Sequence, residues 1–197
     1  MPLGIFHPVD KPDPSRQAEL DDILLAHDLD RLLAFDLRLK SGPPVADALN
    51  LQRSIAAYED QRGWREKASV RYTLLLGRYL SSPAVTVRLR LDLADHCLRW
   101  GDLAGVKTQI TQAAGALPKN APPDLCGAVL RSRGLLAALN NDLPQAETLL
   151  RQALELFQTH QDWAGRALVL NTLSFAYLSS GRFPEAEACT TAALGGA

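Results

Sequence analysis

The sequence predicts an all-α fold, an α-solenoid in which antiparallel helical hairpins stack in a row. Leucine and alanine are abundant, and apolar residues recur three and four positions apart, as one buried face of a helix requires. No segment shows the sustained two-residue alternation of a half-buried strand. The third observation is an internal repeat, since an offset of 40 residues brings eight columns of similar residues into register across three copies.

The composition is that of an ordinary globular protein and excludes several functional classes. The 197 residues carry 21 basic and 22 acidic side chains, so the chain lacks the basic excess with which nucleic-acid-binding proteins neutralise phosphates. An apolar content of 47% is too high for wholesale disorder. The uncharged stretch over residues 167–181 is only 15 residues long and contains polar side chains, so it is too short to cross a bilayer. We therefore expect no direct nucleic-acid partner and no membrane partner.

Cysteine usage and the first residues favour a reduced, cytoplasmic location. Cys97, Cys126 and Cys189 are too few and too scattered for a disulfide framework or a CxxC metal clip. Residues 1–13 lack the basic region and the long apolar region of a secretory signal. Cytoplasmic localisation is the expectation that follows.

The chain divides into three parts by composition. Residues 1–16 hold four prolines and are predicted to form an extended or disordered arm. Residues 17–42 contain a leucine-rich stretch that predicts one long helix or two short ones with a break near residues 27–30. This segment is expected to cap the repeat array or to pair with a partner. The array itself is predicted over residues 46–197, with copies at about 46–82, 83–118, 124–158 and 163–197.

Each copy is predicted to be a helix, a tight turn and a second helix. The turn column holds Gly101, Asn141 and Gly181, which are residue types that tolerate positive φ at the end of a helix. Two further columns contain small residues, which let helix axes approach closely; they are Ala94, Gly134 and Ser174 on the first helix, and Ala113, Ala153 and Ala193 on the second. Each hairpin leaves an apolar face that only a neighbouring hairpin can cover, so stacking is expected.

The repeat also predicts where the helices begin and end. Polar and proline residues mark loops between copies at residues 117–124 and 157–163, with Asp124 and Asp162 as N-caps. Pro144 and Pro184 fall in the first turn of second helices, where a missing backbone donor costs little. First helices are predicted at about 84–100, 125–139 and 164–179, and second helices at about 103–117, 143–157 and 183–194.

The repeat unit resembles the tetratricopeptide repeat. The stretch over residues 173–194 carries the family pattern of small, aromatic, glycine and alanine positions at Leu173, Ser174, Tyr177, Gly181, Phe183, Ala186 and Ala193. The period of 40 exceeds the family's period of about 34 residues, as in the repeat regions of some bacterial regulators. The resemblance implies a right-handed superhelix whose first helices line a concave groove.

No catalytic motif is recognisable, so we expect a protein that is not an enzyme and needs no cofactor. His96 and Cys97 are adjacent, and neighbours on a helix do not face each other as a nucleophile and its base must. Asp92 and His96 are four residues apart and can touch, but no third or fourth metal ligand is suggested nearby. A hydrogen bond at the surface or in the groove is the simpler interpretation, and no metal site is predicted.

The resemblance implies a set of groove residues that mixes guanidinium groups with an apolar floor: Arg53, Arg88, Leu91, Asp95, Arg99, Arg131, Leu135, Asn171, Phe175 and Leu178. Arginine forks match carboxylates, so the predicted partner is a protein or peptide with acidic side chains or a free C-terminus, bound by a scaffold or adaptor. The alternative for the arginines is a solvated face paired with Asp92 and Asp95.

The alternative function is a sensory or oligomerisation module of a bacterial regulatory system. The last predicted helix has no further helix after it in this sequence, and solenoids need polar end caps. Homo-oligomerisation through the terminal hairpin or through residues 18–39 is therefore a hypothesis of its own.

Overall fold

The computed structural model describes residues 15–16, 18–19 and 46–195, and their regular structure is entirely helical. The all-α prediction is confirmed for these residues. Ser15, Arg16, Ala18 and Glu19 are helical, while the rest of the predicted arm and of the segment over residues 17–42 lies outside the described residues. The described ranges hold eight helices: α1 (Ala46–Gln61), α2 (Arg65–Arg78), α3 (Pro83–Arg99), α4 (Leu103–Gly115), α5 (Pro123–Leu139), α6 (Leu143–Thr159), α7 (Trp163–Ser179) and α8 (Phe183–Leu194).

Contacts between Cα atoms divide the chain into two units, residues 1–75 and residues 76–197. In the first unit, α1 and most of α2 are joined by the side chain of Arg71. Its guanidinium donates to both oxygens of Glu59 at 2.8 and 2.9 Å and to Gln52 at 2.7 Å. All three side chains are largely buried, so the charged donor and its acceptors satisfy one another inside the unit.

The second unit contains three helical hairpins whose helices begin at a constant step of 40 residues. First helices begin at Pro83, Pro123 and Trp163, and second helices begin at Leu103, Leu143 and Phe183. The predicted bounds of these six helices are confirmed to within two residues. Pro144 and Pro184 lie in the first turns of α6 and α8, as predicted.

Each hairpin turn has three residues and the same backbone hydrogen bonds. In the first, Gly101 has φ of +73°, its N–H donates to Leu98, and the N–H of Asp102 donates to the carbonyl of Cys97 at 2.9 Å. This is a Schellman ending, which satisfies carbonyls that the helix leaves without partners. Asn141 and Gly181 occupy the equivalent positions with φ of +59° and +74°, so the predicted turn column is confirmed.

The residue that ends one helix also begins the next. The carboxylate of Asp102 accepts a hydrogen bond from the Gly105 N–H at 2.8 Å, so Asp102 is the N-cap of α4. Asp142 and Asp162 cap α6 and α7 in the same way. The prediction is therefore confirmed for Asp162. The prediction for Asp124 is wrong, because α5 begins at Pro123 and its N-cap is Pro122.

The hairpins of the second unit stack by a repeated contact pattern. Helix α5 packs against both α3 and α4, and α7 packs in turn against both α5 and α6. Within the second hairpin, the axes are close because Gly134 lacks a side chain: a Cβ atom there would lie 2.6 Å from the Cγ atom of Leu150. The small-residue column therefore works as predicted at this position.

The segments between successive hairpins differ from the prediction in one respect. The expected loop over residues 157–163 is shorter, because α6 continues to Thr159 and leaves three residues before α7. The cause is Phe157, which is buried; Cβ atoms at Gly127 and Gly165 would approach its ring to 2.6 and 2.4 Å. Between the first and second hairpins, α4 ends earlier, at Gly115, where the chain continues into the proline-containing stretch over residues 116–122.

Candidate functional site

The first helices of the first two hairpins are joined by two ion pairs of opposite order. The Nη2 atom of Arg88 on α3 lies 2.7 Å from the Oδ2 atom of Asp124 on α5. Seven residues further along both helices, Asp95 on α3 lies 3.5 Å from Arg131 on α5. Each pair joins residues 36 apart, so α3 and α5 run parallel and in register. Reversing the charges between the two levels disfavours a sliding of one helix along the other.

These pairs change the expected role of the groove arginines. Arg88 and Arg131 already face carboxylates of their own chain, so an acidic partner would have to displace Asp124 or Asp95. The predicted pairing of the arginines with aspartates holds for Asp95, but its partner is Arg131 on the neighbouring helix. The Arg131 side chain is 15% exposed, so little of its guanidinium stem is open to an external ligand.

Asp95 has an unusual setting between α3 and α5. Half of its side chain is open to solvent, yet the surrounding protein removes enough water to raise the pKa of its carboxyl above the ordinary value. Arg131 acts in the opposite direction, because a nearby positive charge favours the ionised form. A carboxyl with these properties is open to water on one side and enclosed by protein on the others.

The remaining predicted groove residues divide by burial. Leu91 and Leu135 are buried, so they pack in the interior and do not offer a surface to a partner. Arg99 is exposed near the end of α3. Arg53 is half-buried on α1 in the first unit, and it is therefore described apart from the others.

An apolar stripe runs along the exposed side of α7. Phe175 and Leu178, both predicted as groove residues, are 41% and 52% exposed, and Asn171 is also exposed. Leu168, which sequence reasoning missed, is 53% exposed. Positions 168, 171, 175 and 178 are spaced by three and four residues and therefore share one face of the helix. We call these four residues the α7 stripe. The signal for Leu168 was available, since it lies seven residues before Phe175.

A small cavity of about 240 Å³ adjoins the N-terminal end of the α7 stripe. Alanine and leucine side chains of α7 and α8 form most of its walls, and the guanidinium of Arg166 stacks over the ring of Trp163 at 5.4 Å. Its lining residues are Trp163, Ala164, Arg166, Ala167, Leu170, Ala192 and Ala193. Ala167 and Ala193 correspond, 40 residues on, to Gly127 and Ala153 of the preceding hairpin, where the Phe157 ring fills the space beside Gly127. We call this space the α7 pocket.

Two searches of the described part of the chain bear on other classes of site. Among residues 15–16, 18–19 and 46–195, no three His, Cys, Asp or Glu side chains lie together as a metal site would require. No helix within these ranges has the length and apolar character needed to span a bilayer.

Comparison with known proteins finds a likeness of fold. No protein-family model matches the chain, and no curated protein matches it with significance. Among solved structures, the chain is similar to BtubC (BKLC) from P. vanneervenii, with a TM-score of 0.61 and 16% identity. The likeness covers 92% of this chain and 88% of that chain. At this level of identity the two proteins share an all-helical fold, and that is what the comparison establishes.

Proposed function

We propose that the chain is a non-enzymatic protein-interaction scaffold of the tetratricopeptide-repeat type, which binds a peptide or protein partner along the first helices of its hairpins. The observation that carries this proposal is the α7 stripe, three large apolar side chains that remain more than two-fifths exposed on one helix face. Clustered apolar side chains at a surface mark interaction sites far more often than isolated ones do.

The arrangement of the hairpins supports a solenoid of this type. The constant step of 40 residues and the repeated contact of each first helix with the preceding hairpin are what a row of equivalent units produces. We infer that the three hairpins of the second unit form a right-handed superhelix and that their first helices line its concave side.

The partner that the surface favours is apolar along one side. Arg88 and Arg131 are engaged by aspartates, whereas the α7 stripe has no charged member. An amphipathic helix laid along such a stripe would bury apolar residues at the same three- and four-residue spacing. A purely acidic peptide would gain less, because each arginine it reached would first lose an internal ion pair.

The test is site-specific photo-crosslinking in the native cell. A photoreactive phenylalanine analogue at position 175 should form adducts with protein, whereas the same analogue at Leu103 should not. Leu103 is a matched control because it is 55% exposed on α4, away from the stripe. Equal adduct patterns at the two positions, or none at position 175, would contradict the proposal.

A second candidate function, an oligomerisation module of a bacterial regulatory system, is favoured by the same stripe, since it lies on the last described hairpin. The crosslinking experiment separates the two candidates. Adducts with a different protein support the adaptor, and adducts confined to the chain itself support the oligomerisation module.

A further inference from the structure

The α7 stripe continues an interface that is already formed inside the chain. Phe175 and Leu178 correspond, 40 residues on, to Leu135 and Ala138 of α5, which are only 7% and 4% exposed. Helix α5 is covered by the next first helix, α7. The last described hairpin thus leaves open the face that the preceding one covers with a helix, so a helix is the expected occupant.

The residues along α7 are arranged symmetrically about Asn171. Ala164 precedes it by seven residues and borders the α7 pocket, while Leu178 follows it by seven residues and projects from the surface. Seven residues correspond to about two turns, or roughly 10.5 Å along the axis. A second α7 laid antiparallel across the first, with the two Asn171 side chains opposite each other, therefore brings Leu178 of each copy to the pocket of the other.

The side chains at the centre of this arrangement are complementary to their own copies. The amide of Asn171 has donors and an acceptor, so two such amides can hydrogen-bond to each other. Leu168 of one copy then meets Phe175 of the other, on both sides of the centre. A self-complementary patch of this kind is what a two-fold dimer requires, because the same surface serves on both subunits.

We propose that the protein forms a two-fold dimer through antiparallel pairing of α7, in which Leu178 of each copy enters the α7 pocket of the other. This inference rests on the proposed function, since it names a second copy as the partner at the same surface. A helix of 17 residues is about 25 Å long, so the contact is smaller than the roughly 800 Å² per partner of a standard interface. The dimer is accordingly weak, with a dissociation constant in the micromolar range.

The first test is sedimentation equilibrium of the purified full chain over a concentration series from about 1 to about 500 µM, a range that brackets micromolar dissociation constants. The wild type should pass from monomer to dimer, and Leu168→Arg should weaken the dimer at least about tenfold, because it buries an unpaired charge. Leu103→Arg is the matched control, with 55% exposure against 53% for Leu168, and should leave the dimer unchanged. Circular dichroism should show that both variants remain folded. A wild type that is monomeric throughout, or a dimer that Leu168→Arg leaves unchanged, would overturn the proposal.

The second test addresses the symmetry. Asn171→Cys places two thiols opposite each other at the two-fold axis, so mild oxidation should give a disulfide between the two copies at this position, identified by peptide mapping. Leu103→Cys should give none. A dimer that lacks this disulfide would overturn the antiparallel arrangement. A monomer whose stripe still crosslinks to another protein in the cell would overturn this inference and leave the proposed function intact.

Discussion

At the scale of single residues, the turns depend on backbone conformations that only some residue types adopt easily. Gly63, Gly101 and Gly181 have positive φ, as does Asn141, a residue type that tolerates it. Gln161 adopts φ of +55° between α6 and α7 and has neither advantage. The sequence pattern indicated the glycine and asparagine positions, but a glutamine carries no such signal. Its conformation follows from the Schellman ending of α6, whose position is set by the burial of Phe157.

Replacing Gln161 by glycine should therefore stabilise the protein. A non-glycine residue in the left-handed region costs roughly 1–2 kcal/mol, and the greater freedom of glycine in the unfolded chain offsets roughly 0.5–1 kcal/mol of the gain. We expect Gln161→Gly to raise the free energy of unfolding by about 0.5–1 kcal/mol in urea denaturation. The matched control is Gln158→Gly, an exposed helical position three residues earlier, which should lower it by about as much. A loss of stability in Gln161→Gly would contradict the argument.

The ion pairs illustrate what residue-level reasoning cannot supply. Sequence reasoning identified Arg88, Asp95 and Arg131 as groove residues and suggested that arginines pair with aspartates. The actual partners lie 36 residues apart on neighbouring helices. A 36-residue spacing within a 40-residue repeat reflects how far one first helix is shifted along the next. That shift is set by packing between hairpins and not by any local pattern.

At the scale of helices, most of the architecture could be predicted from the sequence. Helix starts followed from prolines, turn glycines and the 40-residue offset, all of which act locally. The loop expected over residues 157–163 was wrong at its start because its composition is polar, while one aromatic side chain among the polar ones is buried. The close approach of α5 and α6 was predicted from Gly134, since only the absence of a side chain permits it.

The pair of Gly134 and Leu150 should behave as one packing unit. Gly134→Ala places a Cβ atom 2.6 Å from the Leu150 side chain, which is fully buried, so we expect a loss of about 1–3 kcal/mol. In the first hairpin the equivalent positions are Ala94 and Ile110, which pack in one cluster. Adding Leu150→Ile to Gly134→Ala should therefore recover part of the loss.

The measurement is a double-mutant cycle from urea denaturation, with an expected coupling of roughly 0.5–3 kcal/mol. The control is Gly77→Ala in α2, where nothing lies within 4 Å of the added carbon and alanine should be neutral or stabilising. Strict additivity of the two substitutions would show that the two positions do not share one packing constraint.

At the scale of the whole molecule, each unit has its own stability profile. Within residues 76–195, the middle hairpin is packed on both sides, since α5 contacts the hairpin before it and the hairpin after it. Helix α8 packs against α7, and Ala186 is its only buried residue among those described. The division of the chain after residue 75 falls inside α2, where no change of composition marks it. Sequence reasoning had no local signal for that boundary.

Hydrogen exchange should therefore follow position in the stack. We expect amides of α5 and α6 to exchange most slowly and those of α8 most rapidly, because local opening of an end helix exposes little apolar surface. Mass spectrometry of peptides from each helix measures this order at neutral pH. Uniform protection from α3 to α8 would indicate that the second unit opens only as a whole, and it would contradict a row of separable hairpins.

The three-residue turns set a rule for how such a chain can change in length. Each turn is closed by backbone hydrogen bonds, and its last residue already begins the next helix, so no residue is spare. One inserted amino acid would rotate everything downstream by about 100° and expose the buried side of the following rod. The stretch over residues 116–122 is the one connector in the second unit with slack to absorb such a change. Elsewhere, growth or loss is tolerated only as duplication or deletion of an entire 40-residue module.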